Sequence, residues 1–290
     1  MSAAVLDGKK VAHSLREALA LHIATHIKKG LRRPHLVVFL LGDDPASTLY
    51  VQNKQKACES VGIQSTLHVL PSNTSQEKLL QQLQQYNIDP TVDGILVQLP
   101  LPTSISTEII VENILPKKDV DGFHPYNMGR LAQSHPSKLR PCTPYGIMQL
   151  LAAYQLPIVG QHAVIVGASN IVGRPMALEL ALGQATVTLC HSKTQRLASL
   201  IQIADIIISA TGKPNIIDPE WLSPHQVLID VGIQRNAAGH LCGDVDYDRC
   251  KEKVAWITPV PGGVGPMTVT TLLQNTYAAY CDNLKLDVSA

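Results

Sequence analysis

The sequence predicts an α/β protein of two domains, each built around a parallel β-sheet. Its 290 residues suffice for two domains of ordinary size. Short apolar, β-branched runs alternate with helix-like segments in both halves, a pattern typical of parallel sheets with helical crossovers. A stretch rich in proline and polar residues, 134-SHPSKLRPCTPY-145, separates the two halves. We predict a first domain over residues 1–140, completed by a C-terminal helix within 267–290, and a second domain over 141–266.

In the first half, each predicted strand ends at a turn signal. The run HLVVFLLG (35–42) is followed by Asp-Asp-Pro, and a helix from Ser47 to Val61 ends at Gly62. A second strand covers 66–70, and its following helix carries a capping box with Thr74 as N-cap and Glu77 three residues later. A third strand, DGILVQLP (93–100), is apolar on both faces until Gln98, as expected of a buried parallel strand.

A second series of strands and helices follows the Pro-rich boundary. Thr143 and Pro144 suit the N-cap and first position of the helix that opens it. We predict strands over 162–167, 185–190, 205–210 and 227–232, helices near 174–183 and 195–203, and a final amphipathic helix over 268–280.

Composition excludes several classes of function. The net charge is +1 with scattered Lys and Arg, and only four residues are Phe or Trp, so neither a nucleic-acid surface nor a base-stacking platform is indicated. No apolar run is long enough to cross a membrane, and Asp7 and Glu17 interrupt any signal-peptide pattern. The six cysteines form no CxxC pair and the histidines no HExxH motif, so we expect no metal site. The expected location is the cytoplasm, although a processed organellar protein would share this composition.

The strand at 162–167 runs into a glycine-rich turn, 167-GASNIVGRP-175. A strand, a Gly-rich turn and a helix start offer backbone N–H groups and a positive helix end to a pyrophosphate. The spacing G-x-S-x-x-x-G departs from G-x-G-x-x-G, which leaves an ordinary tight turn as the alternative. The βα units that follow favour the first interpretation, a Rossmann-like dinucleotide-binding domain.

The end of the next strand bears on which dinucleotide binds. An NAD site usually has Asp or Glu there to hold the ribose 2′-hydroxyl, whereas this strand ends Leu-Cys-His-Ser-Lys-Thr, without a carboxylate. Ser192, Lys193 and Arg174 are candidates to hold a 2′-phosphate. A solvated turn lysine would look the same at position 193, but the pattern favours NADP over NAD.

Polar residues in the first half are candidates for the substrate site. Tyr50 and Lys54 lie four residues apart on one helical face, which suits a flat substrate that needs proton transfer but is also typical of a solvated face. Gln98 ends a buried strand, where α/β proteins place their ligands. Asp121, in Lys-Asp-Val-Asp-Gly, is either a ligand or a turn former.

Six stretches, in the same order and together covering about residues 7–280, resemble the bifunctional methylenetetrahydrofolate dehydrogenase/methenyltetrahydrofolate cyclohydrolase family. They are Pro45-Ala-Ser with Tyr50-xxx-Lys54, 93-DGILVQLPLP-102, 118-KDVDGFHPYN-127, 140-RPCTP-144, 167-GASNIVGRP-175 and 258-TPVPGGVGPMT-268. The resemblance implies that NADP⁺ oxidises methylenetetrahydrofolate and that water opens the methenyl product to 10-formyltetrahydrofolate. It also implies an active-site cleft between the domains and a homodimer formed through the cofactor domain, for which the apolar strand 185–190 could serve as an edge.

The resemblance assigns roles to individual residues. Tyr50 matches the tyrosine that stacks on the folate, Lys54 the catalytic lysine, Gln98 the glutamine that tunes it, and Asp121 the aspartate that holds the pterin edge. The remaining implied folate contacts are Leu99, Pro100, Pro261, Gly262 and Gly263, and the two prolines fall where the family has rigid X-Pro turns that can be cis. The implied cofactor contacts are Gly167, Ala168, Ser169, Arg174, Ser192, Lys193 and Ile233.

Two other functions fit the same predicted architecture. A shikimate- or amino-acid-type dehydrogenase also pairs an α/β substrate domain with a Rossmann domain and uses a lysine. A non-catalytic dinucleotide sensor could be built on the same fold, because fold does not determine function.

Overall fold

The protein is described by a computed structural model that covers residues 2–235 and 239–286. The chain forms two compact units. One, here called the three-stranded unit, comprises Ser14–Cys142 and Val269–Ala290; the other, the six-stranded unit, comprises Met1–His13 and Thr143–Thr268. In chain order the elements are β1 (Ala4–Val5), α1 (Gly8–Lys28), β2 (His35–Leu41), α2 (Pro45–Val61), β3 (Gln64–Leu70), α3 (Gln76–Ile88), β4 (Gly94–Val97), α4 (Thr107–Glu112), α5 (Pro125–Ala132), α6 (Cys142–Ala153), β5 (His162–Val166), α7 (Gly173–Leu182), β6 (Thr186–Cys190), α8 (Leu197–Gln202), β7 (Ile206–Ser209), a 3₁₀ turn (Pro219–Trp221), β8 (Val227–Asp230), β9 (Gln234–Arg235), β10 (Leu241–Cys242), α9 (Tyr247–Cys250), β11 (Trp256–Ile257) and α10 (Val264–Asn283).

The three-stranded unit is built on a parallel sheet of order β3-β2-β4. Alternate residues of the central strand β2 face opposite sides of the sheet. Leu36, Val38 and Leu40 pack into one apolar core with α2 and α10. Val37 and Phe39 pack into a second core with α3 and α4. Both faces of β2 are therefore buried, as the uninterrupted apolar run predicts.

The six-stranded unit is built on a parallel sheet of order β1-β11-β8-β7-β5-β6. β6 lies at one edge, which confirms the prediction that 185–190 could form an edge strand. Ala4 and Val5 of β1 pair with Trp256 and Ile257, so residues 2–13 belong to this unit, whereas the prediction assigns them to the first domain. A two-residue strand has too little periodicity for the sequence to reveal this pairing.

The predicted strands are confirmed within two or three residues at each end, whereas four helix starts are wrong. Helix α2 begins at Pro45, two residues before the predicted Ser47. Helix α3 begins after Ser75, whose Oγ accepts a hydrogen bond from Lys78 N (3.3 Å); Thr74 is buried and its own N–H donates to Pro71 O. Helix α6 begins at Cys142, ahead of the predicted N-cap Thr143. Helix α10 begins at Val264, four residues before the predicted start at 268. The helix can include Pro266 because a proline in the first turn replaces an N–H that has no partner within the helix.

Candidate active site

Lys54 lies on α2, and capping residues at both ends of this helix determine where it begins and ends. Asp44 accepts a hydrogen bond from Ser47 N (2.8 Å), Pro45 occupies the first turn, and Gly62 closes the helix in the left-handed conformation. The neighbours Val51 and Cys58 are fully buried in the core, and Lys54 is only 6% exposed. A solvated helix face is thereby ruled out for this lysine.

Gln98 holds the Lys54 amine by a direct hydrogen bond. It follows the carboxyl end of β4, where its own N–H continues the sheet by donating to Phe39 O (2.8 Å). Its side-chain amide donates to Leu99 O (2.7 Å), which leaves Oε1 to accept from Lys54 Nζ at 3.0 Å. The amide orientation is fixed by these two bonds, because only the oxygen can accept from an ammonium group.

Tyr50 lies one helical turn before Lys54. The Lys54 Nζ atom is 5.7 Å from the centre of the Tyr50 ring, within the range of a cation–π contact. The ring is half-buried, and burial raises the pKa of its hydroxyl. The structure thus brings Tyr50, Lys54 and Gln98 together, with an aromatic ring and an amine side by side.

Asp121 lies in a loop that other residues hold rigidly. Gly122 has φ +81°, and a Cβ there would overlap the backbone of Arg140. The buried Asp119 carboxylate accepts bonds from Gly122 N (3.2 Å), His124 N (2.8 Å) and Asn127 Nδ2 (2.9 Å). The second aspartate of Lys-Asp-Val-Asp-Gly is therefore positioned by the first.

The charge state of Asp121 is finely balanced. Burial raises the pKa of its carboxyl to about 6, while the Lys54 ammonium acts to lower it. The charge of Lys54 thus acts on the Asp121 carboxyl, and we call Tyr50, Lys54, Gln98 and Asp121 the Lys54 group. The carboxyl therefore changes charge near neutral pH.

Cys142 and Asn275 support Asp121, and sequence reasoning missed both. Asn275 of α10 is buried, and its Nδ2 donates to Val120 O and Arg140 O, both at 2.8 Å. Cys142 Sγ donates to Val120 O at 3.2 Å. The motif Arg-Pro-Cys-Thr-Pro drew attention to this segment, but nothing in a single sequence links it to residues 119–122 or to a helix more than 130 positions later.

Two X-Pro bonds in the predicted folate-binding segments are cis: Leu99-Pro100 and Val260-Pro261. The second lies in the six-stranded unit, as do the predicted contacts Gly262 and Gly263. Gly262 has φ +115° and its carbonyl accepts from Lys9 N (3.0 Å). A Cβ on Gly8 would overlap the carbonyl of Gly263, so α1 begins tightly against this loop.

In the six-stranded unit, the turn after β5 forms a cradle of backbone. Gly167 has φ +122°, and a Cβ there would overlap the carbonyl oxygen of Ala210. A Cβ on Gly173 would overlap the carbonyl of Gly167. Ser169 Oγ accepts from Val172 N (3.1 Å) and Gly173 N (3.4 Å), at the start of α7. Only glycines fit both positions, and the turn leads into a helix N-terminus that suits a pyrophosphate.

The side chains of most other predicted cofactor contacts are accessible. Ser169, Arg174, Ser192, Lys193 and Ile233 are exposed, and Ala168 is half-buried. Lys193 N donates to His191 Nδ1 (3.1 Å), which fixes the backbone of the turn after β6. The residues present fit an NADP dinucleotide: a turn closed by two tightly packed glycines for the pyrophosphate, and hydroxyl and cationic groups instead of a carboxylate at the end of β6.

Three further findings concern metals, thiols and membranes. All six cysteines are free, and five of them are buried. His22 and His26 have the four-residue spacing of a metal-binding pair on α1, but both pack against the ring of Tyr277. Within residues 2–235 and 239–286, no group of three potential ligands is placed to hold a metal ion, and no helix is both long and apolar enough to cross a bilayer.

Comparisons with known proteins cover nearly the whole chain. Residues 6–121 match the family described as "Tetrahydrofolate dehydrogenase/cyclohydrolase, catalytic domain", and residues 141–284 match its "NAD(P)-binding domain". The "Bifunctional protein FolD" of Legionella pneumophila (strain Corby) is 55% identical over 276 residues, which is 95% of this chain and 97% of that protein.

Solved structures of enzymes from the same family also align with nearly the whole chain. The bifunctional enzyme FolD from Campylobacter jejuni aligns with a TM-score of 0.94 at 45% identity over 97% of this chain and 99% of that one. The Trypanosoma brucei enzyme, solved with NADP cofactor and inhibitor, aligns with a TM-score of 0.93 at 35% identity over 98% and 99%. A shikimate dehydrogenase from Aquifex aeolicus reaches only 0.51 at 15% identity, a likeness of fold alone, which disfavours the shikimate-type alternative.

Proposed function

The chain belongs to the tetrahydrofolate dehydrogenase/cyclohydrolase family, and on that premise we propose that it is a bifunctional enzyme. It oxidises 5,10-methylenetetrahydrofolate to the methenyl cation with NADP⁺ and then hydrolyses the cation to 10-formyltetrahydrofolate. The observation that carries this proposal is the buried amine of Lys54, hydrogen-bonded to Gln98 at 3.0 Å beside the Tyr50 ring.

The oxidation requires positioning more than acid–base chemistry. Loss of hydride leaves a cation delocalised over N–C–N, so no strong base is needed in that step. Tyr50 supplies a flat surface for the substrate ring, and Asp121 in its charged form accepts hydrogen bonds from pterin N–H groups. Leu99 and Pro100 of the three-stranded unit are proposed as further folate contacts, and so are Pro261, Gly262 and Gly263 of the six-stranded unit.

The hydrolysis requires a proton acceptor, and in this proposal Lys54 accepts the proton. Water that adds to the methenyl cation must lose a proton, and a lysine accepts one only as the neutral amine. The Lys54 amine is buried and hydrogen-bonded to Gln98, which fixes its position for this step. Gln98 orients the amine through its side-chain carbonyl oxygen.

When bound, NADP⁺ supplies a nicotinamide that accepts the hydride. The Gly167–Ala168–Ser169 turn and the N-terminus of α7 would hold its pyrophosphate. Arg174, Ser192 and Lys193 would hold its 2′-phosphate, and Ile233 would be a further contact. The six-stranded unit is thus the dinucleotide domain, and the three-stranded unit is the folate domain. The exposed lysine and the absence of a carboxylate after β6 support NADP over NAD.

A two-step spectrophotometric assay tests the proposal. Methylenetetrahydrofolate with NADP⁺ is expected to give NADPH and then consume the methenyl absorbance, with a much lower KM for NADP⁺ than for NAD⁺. Equal KM values would refute the NADP assignment. Hydride transfer without methenyl hydrolysis would leave a dehydrogenase only, and dinucleotide binding without either reaction would favour a sensor.

Assembly and location form the last part of the proposal. The partly exposed strand β6 at the sheet edge supports a homodimer formed through the six-stranded unit. Six free thiols support a reducing compartment, the cytoplasm. Light scattering coupled to size exclusion is expected to give twice the mass of one chain, and a monomer would refute the dimer.

A further inference from the structure

Two aspartates of the six-stranded unit are buried close together and have no part in the function proposed above. Asp230 ends β8 and is 3% exposed; Asp244 follows β10 and is fully buried. Burial raises the pKa of Asp230 to about 6; bonds from backbone N–H groups oppose this rise, and the nearby Asp244 charge adds to it. Such a pair is costly to bury, so its hydrogen bonds indicate what it stabilises.

Asp244 concentrates its hydrogen bonds on one oxygen. Oδ2 accepts from Thr211 N (2.7 Å), Thr211 Oγ1 (3.0 Å), Gly212 N (3.2 Å) and Ser209 Oγ (3.3 Å). The other oxygen, Oδ1, is buried and has no hydrogen-bond partner among the described residues. All four bonds thus converge on the end of β7 and the two residues 211–212.

The loop held by Asp244 contacts the dinucleotide cradle directly. A Cβ on Gly167 would overlap the carbonyl oxygen of Ala210 and lie 3.4 Å from Thr211 N. The loop after β7 therefore forms the surface on which the glycine turn after β5 rests. A displaced loop would change the position of the Gly167 backbone, which the proposed function places against the pyrophosphate.

Asp230 ties the segment that bears Asp244 to the end of β8. Its Oδ1 accepts from Gly232 N (3.0 Å) and Asp244 N (2.9 Å), and its Oδ2 accepts from Val245 N (3.1 Å). A Cβ on Gly232 would overlap the Asp244 carboxylate, and Gly232 directly precedes Ile233. The two carboxylates thus fix both loops that border the proposed cofactor contacts.

We propose that Asp244 is a positioning residue for the dinucleotide: its carboxylate holds residues 209–212 in the one arrangement that supports the Gly167 turn. This inference deepens the proposed function and rests on it. Asp244 touches no cofactor atom itself. Its effect is exerted on NADP⁺ affinity and not on methenyl hydrolysis, because the proposed proton acceptor Lys54 and the amide that orients it lie in the other unit.

Two substitutions at this position separate hydrogen bonding from charge. In Asp244→Asn, the amide oxygen can replace Oδ2 and accept all four bonds, while the amide nitrogen occupies the place of the unpartnered Oδ1. In Asp244→Ala, all four bonds are lost. We expect the calorimetric Kd for NADP⁺ to rise at least tenfold in Asp244→Ala and to stay within about threefold of wild type in Asp244→Asn. Asp248→Ala, at an exposed acid of the same segment, is the matched control.

Methenyl hydrolysis, assayed without dinucleotide, completes the test. The proposal requires this activity to stay within about twofold of wild type in Asp244→Ala. An unchanged Kd, or an equal loss of NADP⁺ affinity and hydrolysis, overturns it. If Asp244→Ala does not fold, Ser209→Ala decides, because it removes the 3.3 Å bond from Ser209 Oγ to Asp244 Oδ2 and leaves the Thr211 and Gly212 bonds in place: a Kd raised two- to fivefold supports the proposal and an unchanged Kd overturns it. If wild-type protein binds NADP⁺ but does not convert methylenetetrahydrofolate, the proposed function is refuted. The comparison of Kd values among the variants still tests the role of Asp244.

Discussion

The Lys54 group and the Gly167 turn work by opposite means. The first is a set of side chains: a buried amine, an amide that orients it, a ring and a carboxyl. The second is nearly bare backbone, where two glycines approach neighbouring carbonyls so closely that no side chain fits. Removing atoms should therefore disable the first region, whereas adding atoms should disable the second.

The largest expected effect is at Lys54. Lys54→Met keeps the length of the side chain and removes the amine, so methenyl hydrolysis is expected to fall by about 10²–10⁴-fold, the usual contribution of a general acid–base group. Oxidation by NADP⁺ should fall less. Lys56→Met is the matched control, because Lys56 is exposed on the same helix. Near-normal hydrolysis in Lys54→Met would remove this residue from the mechanism.

Adding a single carbon to the cradle should have the next largest effect. In Gly167→Ala the new Cβ overlaps backbone and the φ of +122° is strained, so the KM for NADP⁺ is expected to rise tenfold or more. Gly160→Ala tests strain alone, because Gly160 also has a positive φ but a Cβ there meets nothing within 4 Å. Equal KM values in the two variants would show that the close approach is unimportant.

Asp121 should make the oxidation depend on pH. Its raised pKa of about 6 means that the carboxyl loses its charge as pH falls through that value, so kcat/KM for the folate should be about tenfold lower at pH 5 than at pH 7. Asp121→Asn should abolish this transition. Lys54→Met removes the ammonium that lowers the pKa of Asp121, so it should move the midpoint upward. A flat profile in wild type would contradict the role of the charged form.

The smallest expected effect is at the cofactor phosphate. Lys193 is exposed, so its charge is screened by solvent, and Lys193→Ala should raise the KM for NADP⁺ only about two- to fivefold. The KM for NAD⁺, which lacks the 2′-phosphate, should not change in the same variant. A similar rise for both cofactors would show that Lys193 supports the turn and does not select the phosphate.

The same contrast explains what the sequence could predict. Buried parallel strands such as β2 and the glycines of a tight turn leave local patterns, and those predictions are confirmed. The burial of Lys54 depends on how α2 packs, so four-residue spacing alone left a solvated face open. Contacts between distant segments leave no local signal: β1 with β11, Asn275 with Val120, and Asp244 with the loop after β7 all required the structure. Ser75 and Thr74 are both good caps, and only packing shows that Ser75 serves.

The most direct test of this division of labour is a calorimetric titration of NADP⁺ into wild-type protein, Lys54→Met and Gly167→Ala. If buried side chains carry the folate chemistry and bare backbone holds the dinucleotide, Lys54→Met will bind NADP⁺ with the wild-type Kd, and Gly167→Ala will bind at least tenfold more weakly. A wild-type Kd in Gly167→Ala, or a Kd in Lys54→Met raised as much as in Gly167→Ala, would contradict the account.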